Sequence, residues 1–188
     1  GHQYFQGMLA SNEFEEAWLD EGVTSYTEVE CMTAIAADGL APEIGKKGFW
    51  EAERVALVVP RVPITIARRS WEHRHRWTYF LASYPKTAVS LKTIEGLIGP
   101  NAMARGLRNY FDRFRFRHPS GNELITALSE TAGSDLRWFF DQAIYGDENP
   151  DWAVVSVRHR EPEAADGFTR REGQWREIAF DEDVEVRD

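Results

Sequence analysis

Residues 12–37, NEFEEAWLDEGVTSYTEVECMTAIAA, read as one long helix whose apolar face carries two carboxylates. Asn12 followed three residues later by Glu15 is a capping-box pattern, and Glu13, Glu15 and Glu16 suit the positive end of a helix dipole. At about 100° per residue, Phe14, Trp18, Glu21, Ser25, Glu28 and Met32 fall in one stripe. Glu16, Asp20, Thr27 and Glu30 fall on the opposite side, where solvent is expected. Burying an ionised carboxylate is costly unless it is paired or bound to metal. Glu21 and Glu28 therefore call for a metal ion, an arginine or an imidazole, or else a place at the edge of the stripe.

Composition narrows the choice of partners. Hydrophobic residues make up 43% of the 188, enough for a packed core. A net charge of -9 argues against nucleic acid as a partner, because phosphate binding needs a basic surface. With Cys31 the only cysteine, any metal must be held by histidines and carboxylates. No apolar run is long enough for a membrane span.

The remaining chain divides at about residue 150. Residues 38–48 are a loop rich in Gly and Pro, 49–59 suit a short helix, and Pro60 and Pro63 break the pattern. Residues 64–83 suit a helix or an irregular crossover. The spacing predicts helices over 85–98, with Pro85 in the first turn and Gly99 at the stop, and over 101–116, with Met103, Leu107, Tyr110, Phe111 and Phe114 on one face. A capping box at Ser120 and Glu123 opens a third, which ends at Gly133. A fourth runs from Asp135 to Tyr145, with Leu136, Phe139, Phe140 and Ala143 facing in. These short, closely connected helices should pack as an antiparallel cluster. Residues 151–188 change texture: WAVVSVRHR, REIAF and VEVR are strand-like. We expect a helical unit over 1–150 and a β-segment over 151–188.

Other polar clusters carry less. His73 and His75 in EHRHR read as a solvated turn rather than a metal pair. RNYFDRFRFRH reads as an aromatic core face backed by arginines rather than a nucleic-acid surface. Cys31 reads as a small core residue, and His118 and His159 carry no signal.

GHQYFQG followed by NEFEEAWLDEGVTSYTE resembles the aminopeptidase N-like zinc metallopeptidases, or gluzincins. In that family a His-Glu-x-x-His motif is followed, after eighteen intervening residues, by a Glu in a Trp-Leu-Asn/Asp-Glu-Gly string. WLDEG supplies that Glu as Glu21, and counting back lands on His2. SYPKTAVSLKTIEGLIG is similar to the family's Tyr-Glu-Lys-Gly-Ala helix start, with Pro85 in place of the usual Glu and Thr87 in place of the usual Gly. DLRWFFDQAIYG is similar to a packing signature late in the family's helical subdomain.

The resemblance implies that His2 and Glu21 are zinc ligands, that Tyr84 supports the oxyanion, and that Glu28 hydrogen-bonds a zinc histidine. It implies a mainly α fold, the helical subdomain of a thermolysin-like gluzincin catalytic domain, with a short β-rich segment at the C-terminus. Its function would be removal of N-terminal residues from peptides by zinc-activated water. No His-Glu-x-x-His occurs in the sequence. The first zinc histidine and the catalytic Glu are thus expected ahead of residue 1, in a preceding portion of the same protein that would be a partner alongside peptide substrates. Alone, the chain should be inactive and bind zinc weakly. The alternative is a non-catalytic, metallopeptidase-like scaffold or binding module.

Overall fold

The computed structural model describes residues 1–39, 48–58, 64–147, 168–171 and 174–177. They group into two units, Gly1–Pro150 and Asp151–Asp188. The helices of the first are α1 (His2–Phe5), α2 (Glu13–Ala37), α3 (Phe49–Val58), α4 (Arg76–Leu81), α5 (Thr87–Ile98), α6 (Pro100–Phe114), α7 (Gly121–Ala132) and α8 (Arg137–Phe140). A 3-10 turn spans Ser70–Glu72, and wider π turns span Ala82–Lys86 and Asp141–Tyr145. The fold is mainly helical.

α2 departs from the one-sided helix that the stripe predicts, for two reasons. Asn12 caps it by accepting from the Phe14 N–H at 3.2 Å, but Glu15 makes no return bond among the described residues. The first turn then breaks at Glu16, whose φ of -135° and ψ of 57° lie outside the helical region. That break resets the phase, so Phe14 projects away from Trp18 and is 73% exposed. Beyond it, every residue from Ala17 to Tyr26 is buried. α1, the Ser70–Glu72 turn, α3, the Ala82–Lys86 turn and α5 all pack on α2 and leave this stretch no solvent side. Asp20, expected outside, is therefore buried. Past Tyr26 the cover thins, and Glu28 is exposed. Cys31 is exposed too, not a core residue.

The irregular segment from 64 ends in a helix that begins at Arg76, ahead of the predicted start. Pro85 lies inside it, in the π turn, rather than in a first turn. Proline lacks an N–H and its ring collides with the carbonyl four residues back. A wider turn relieves that collision. Within the turn, the Ala82 carbonyl accepts from the Thr87 hydroxyl, at 2.8 Å. Gly99 ends α5 as the spacing predicts.

α6 buries Ala102, Met103, Gly106 and Tyr110, with Leu107, Phe111 and Phe114 packed at the edge of the core. α7 opens on the predicted capping box, in which the Glu123 carboxylate accepts from the Ser120 N–H at 2.8 Å. It closes at Gly133, whose φ of 68° suits the residue. In the last helix Leu136 and Phe140 face in, but the extra residue of the π turn brings Ile144 rather than Ala143 to the core. Trp18, Leu19, Val23, Leu91, Ile94, Met103, Tyr110, Leu124, Leu128, Phe140 and Ile144 belong to one apolar cluster.

In the second unit, β1 (Phe168–Arg171) pairs antiparallel with β2 (Gln174–Glu177), Phe168 opposite Glu177 and Arg171 opposite Gln174. The predicted REIAF strand overlaps β2 at Arg176 and Glu177. The strand-like 152–160 and 184–187, the loop 40–47 and the two prolines at 60 and 63 lie outside the described residues. Among the described residues no helix is long and apolar enough to cross a membrane.

Candidate metal centre

Three side chains of types that can ligate a metal converge where α1 meets the enclosed part of α2. His2 Nε2 lies 2.7 Å from Glu21 Oε2 and 3.7 Å from Asp20 Oδ1. Glu21 and Asp20 are buried, whereas about half of the His2 side chain is exposed. Among the described residues this is the one group of three or more such side chains close enough to hold a metal ion.

Local sequence explains the arrangement. Trp18, fully buried, anchors α2 in the core one turn before Glu21. Gly22 lets the helix approach the π turn: a Cβ there would lie 2.9 Å from the Ser83 carbonyl oxygen and overlap the Thr87 side chain. That close approach sets Tyr84, two residues before Lys86, beside the Glu21 carboxylate. Ser25 ties its hydroxyl to the Glu21 carbonyl at 2.7 Å, one turn along. Phe80 stacks on Tyr84 with ring centroids 4.9 Å apart and holds the phenol in place.

The electrostatics follow from burial and crowding. The hydrogen bond to Glu21 raises the His2 pKa above its ordinary value; partial burial opposes it, and the charges of Asp20 and Glu21 add to it. Burial pushes the Asp20 carboxyl up to about 7, and the neighbouring Glu21 charge works the same way. Burial, then the Glu21 carboxylate, raise the Tyr84 hydroxyl, so it keeps its proton at neutral pH. Tyr79 is raised likewise by burial and by Glu13 and Glu21; its hydroxyl donates to Glu13 Oε1 at 3.2 Å.

Of the residues singled out from the sequence, the structure brings together His2, Glu21 and Tyr84. Glu28 stays apart, two turns further along α2 and exposed. His73 packs edge-on against the Tyr79 ring, centroids 5.6 Å apart, and His75 precedes α4. Asp20, Tyr79 and Gly22 were missed as parts of the site. The helical wheel turns Asp20 outward, and only the enclosure of residues 17–26 reverses that.

A cation suits these side chains chemically. Asp20 Oδ1 is buried with no hydrogen-bond partner. Two adjacent buried carboxylates repel each other unless positive charge lies between them. One imidazole nitrogen with carboxylate oxygens is a donor set that zinc accepts.

Comparisons with known proteins identify the family. A family model described as the Peptidase family M1 domain matches residues 1–143. The chain is 26% identical over 176 residues to a probable aminopeptidase 1 of Sulfurisphaera tokodaii, which covers 90% of this chain and 21% of that protein. It is 24% identical over 163 residues to aminopeptidase N of Lactococcus lactis subsp. lactis, covering 83% of this chain and 18% of that one. Thus it spans about a fifth of the length of these curated relatives. Among solved structures, an M1 zinc metallopeptidase from Deinococcus radiodurans superposes with a TM-score of 0.60 at 18% identity, over 84% of this chain and 34% of that one. A mutant M1 zinc metallopeptidase from the same organism, bound to a Tyr-Ser-Ala substrate, gives 0.62 at 17% identity, over 80% of this chain and 32% of that one. With the family model covering residues 1–143, the chain belongs to peptidase family M1, an aminopeptidase N-like family.

Proposed function

We propose that this chain carries part of the active site of a zinc-dependent aminopeptidase, with His2 and Glu21 as two of the zinc ligands and Tyr84 as the hydrogen-bond donor to the reacting carbonyl. The observation that carries this reading is the 2.7 Å approach of His2 Nε2 to Glu21 Oε2, from two different helices and with Tyr84 alongside. A zinc ion held there would supply Lewis acidity toward water and the peptide carbonyl.

The chain's own residues have separable tasks. Glu21, on the enclosed part of α2, offers a fixed carboxylate. His2 offers Nε2, and must give up the proton it shares with Glu21 before it can bind a metal. Tyr84 keeps its proton at the phenol oxygen, ready to hydrogen-bond an oxyanion. Glu28, exposed two turns beyond Glu21, would accept from the zinc histidine that the family motif puts ahead of His2; the resemblance alone supports this role. The substrates would be peptides with a free N-terminus. As no His-Glu-x-x-His occurs in the sequence, the 188-residue chain alone would not hydrolyse them.

The test joins this chain to an upstream segment carrying the motif's first His and Glu. Release of a chromogenic amine from aminoacyl substrates is then measured with and without chelator. Chelator-sensitive activity that is lost in Glu21→Ala, and reduced about 100-fold or more in kcat in Tyr84→Phe, supports the proposal. No activity and no bound metal would leave a scaffold that keeps the family's helices without its chemistry.

A further inference from the structure

We propose that the exposed basic segment 68–76, seated against the first turn of α2, receives acidic side chains of a peptide substrate, downstream of the bond that is cut. The inference rests on the peptidase reading and adds a sequence preference to it.

Charge balance is the first observation. Residues 68–76, RRSWEHRHR, hold four arginines and two histidines against one glutamate, in a chain of net charge -9. Arg68, Arg69, Arg74 and Arg76 are all exposed. The Glu72 carboxylate turns back on its own segment and accepts from the Arg69 N–H at 3.1 Å. Among the described residues none of the four arginines pairs with a carboxylate. Like charges at this density repel one another, and an anionic ligand relieves the repulsion. A guanidinium pairs with a carboxylate through two parallel N–H donors, which suits the side chains of Asp and Glu.

Position is the second, and it selects a peptide among anions. Ser70 donates its hydroxyl to the Glu13 carbonyl at 2.6 Å, and the Ser70–Glu72 turn packs on α2. The His73 ring lies edge-on to Tyr79, whose hydroxyl donates to Glu13 Oε1 and which is close enough to Glu21 and Asp20 to feel both charges. Arg68 is in turn close enough to His73 for its charge to act on that ring. The segment thus connects, contact by contact, to the side of the candidate metal centre. An aminopeptidase encloses the first residue of its substrate, so only the residues after it can run outward along the surface. Those residues meet segment 68–76.

The third is exposed aromatic area. Trp71 lies within the segment and Trp77 directly after it, both exposed. The Arg69 guanidinium sits over the Trp71 ring, 5.6 Å from its centroid. A guanidinium resting on an indole keeps its N–H edge free for a carboxylate, and the indole gives the peptide an apolar surface to lie on.

Three labelled peptides test this: Leu-Ala-Asp-Glu-Ala, the same sequence with Asn-Gln in place of Asp-Glu, and the same with Lys-Lys. Binding to the 188-residue chain is read by fluorescence anisotropy, and hydrolysis by the longer, motif-bearing protein is followed in parallel. The acidic peptide should bind about fivefold more tightly than the neutral one, since single exposed ion pairs contribute little and several act together. The difference should vanish as salt is raised. Arg74→Gln combined with Arg76→Gln should bring the ratio near one, whereas Arg105→Gln combined with Arg108→Gln, at exposed positions of α6, should leave it unchanged. In the motif-bearing protein the preference should appear in KM, because the contact is made alike in the ground and transition states. A merely structural role for the arginines would move all three peptides together, and that result overturns the proposal. So does acidic-peptide binding no tighter than neutral, or tighter binding of a single-stranded oligonucleotide of the same charge. Hydrolysis without charge preference overturns the proposal and leaves the peptidase reading standing; absence of hydrolysis removes both.

Discussion

Glu16 reaches from the break in α2 to the first turn of α7, where its two carboxylate oxygens lie 3.1 and 3.2 Å from the backbone N of Gly121. The non-helical backbone at Glu16 is thus linked to a second helix. It aims a carboxylate at an N–H that α7 cannot satisfy internally. Glu16→Ala should destabilise the chain by about 1 kcal/mol, in the range of a lost helix cap, as read by urea denaturation. Unchanged stability would mean that water replaces the contact at no cost.

Glu123 predicts how acid acts on the same helix. Its hydrogen bond from the Ser120 hydroxyl, against a smaller effect of burial and with help from the Ser120 N–H, holds its pKa below the ordinary 4.5. A carboxyl depressed in the folded state contributes stability that is present above the unfolded pKa and lost as pH falls through the folded one. Wild type should therefore exceed Glu123→Gln in stability above pH 4.5, and the gap should close progressively below it. Urea midpoints of both proteins from pH 7 to about 2.5 check the sign; a gap that widens on acidification would contradict it.

Gly22 is tested by adding one methyl group. The Cβ of alanine would meet the Ser83 carbonyl oxygen at 2.9 Å and displace Thr87, so α2 and the π turn must separate. Overpacking of this kind costs about 1–3 kcal/mol. Because Tyr84 lies on that turn, Gly22→Ala should also disturb its environment, visible as a changed tyrosine signal in near-ultraviolet circular dichroism. Wild-type stability with an unchanged spectrum would show that the helices have room to spare.

Tyr26 and Glu95 probe the far end of the enclosed stretch. The Tyr26 hydroxyl donates to Glu95 Oε2 at 2.7 Å, and Lys92 Nζ lies 2.8 Å from the same oxygen. Tyr26→Phe should cost about 1–2 kcal/mol, since the bond goes to a charged acceptor that keeps its lysine. Lys92→Met in the same background should cost more than in wild type, because Glu95 would then be buried with neither partner. Strict additivity in the double mutant would contradict this coupling.

Local signals were legible wherever a single residue decides the backbone. Gly99 and Gly133 end their helices, and Ser120 with Glu123 opens one, because caps depend on a few adjacent groups. The pairing of His2 with Glu21 was legible only through resemblance, since no local rule links residues nineteen apart. Periodicity failed where its premise failed. The wheel assumes a wet face, and residues 17–26 have none, so Asp20 was read as solvent-facing. It also assumes an unbroken helix, which Glu16 and the two π turns interrupt; hence Phe14 is exposed and Ile144 replaces Ala143. Pro85 reads as a helix start in any local scheme, because the widened turn that accommodates it is set by packing against Gly22.

The two sides of the candidate metal centre differ in how firmly they are anchored. Amide protons of α2 between Trp18 and Tyr26 should exchange with solvent only when the whole helical unit opens, since every residue there is covered. His2 sits on a four-residue helix with no buried residue of its own. Fixing its ring against Glu21 therefore costs conformational entropy that the covered part of α2 has already given up. With His2 and Glu21 as the proposed ligands, affinity would depend on whatever restrains α1, and a stiffer α1 would tighten binding without touching a single ligand.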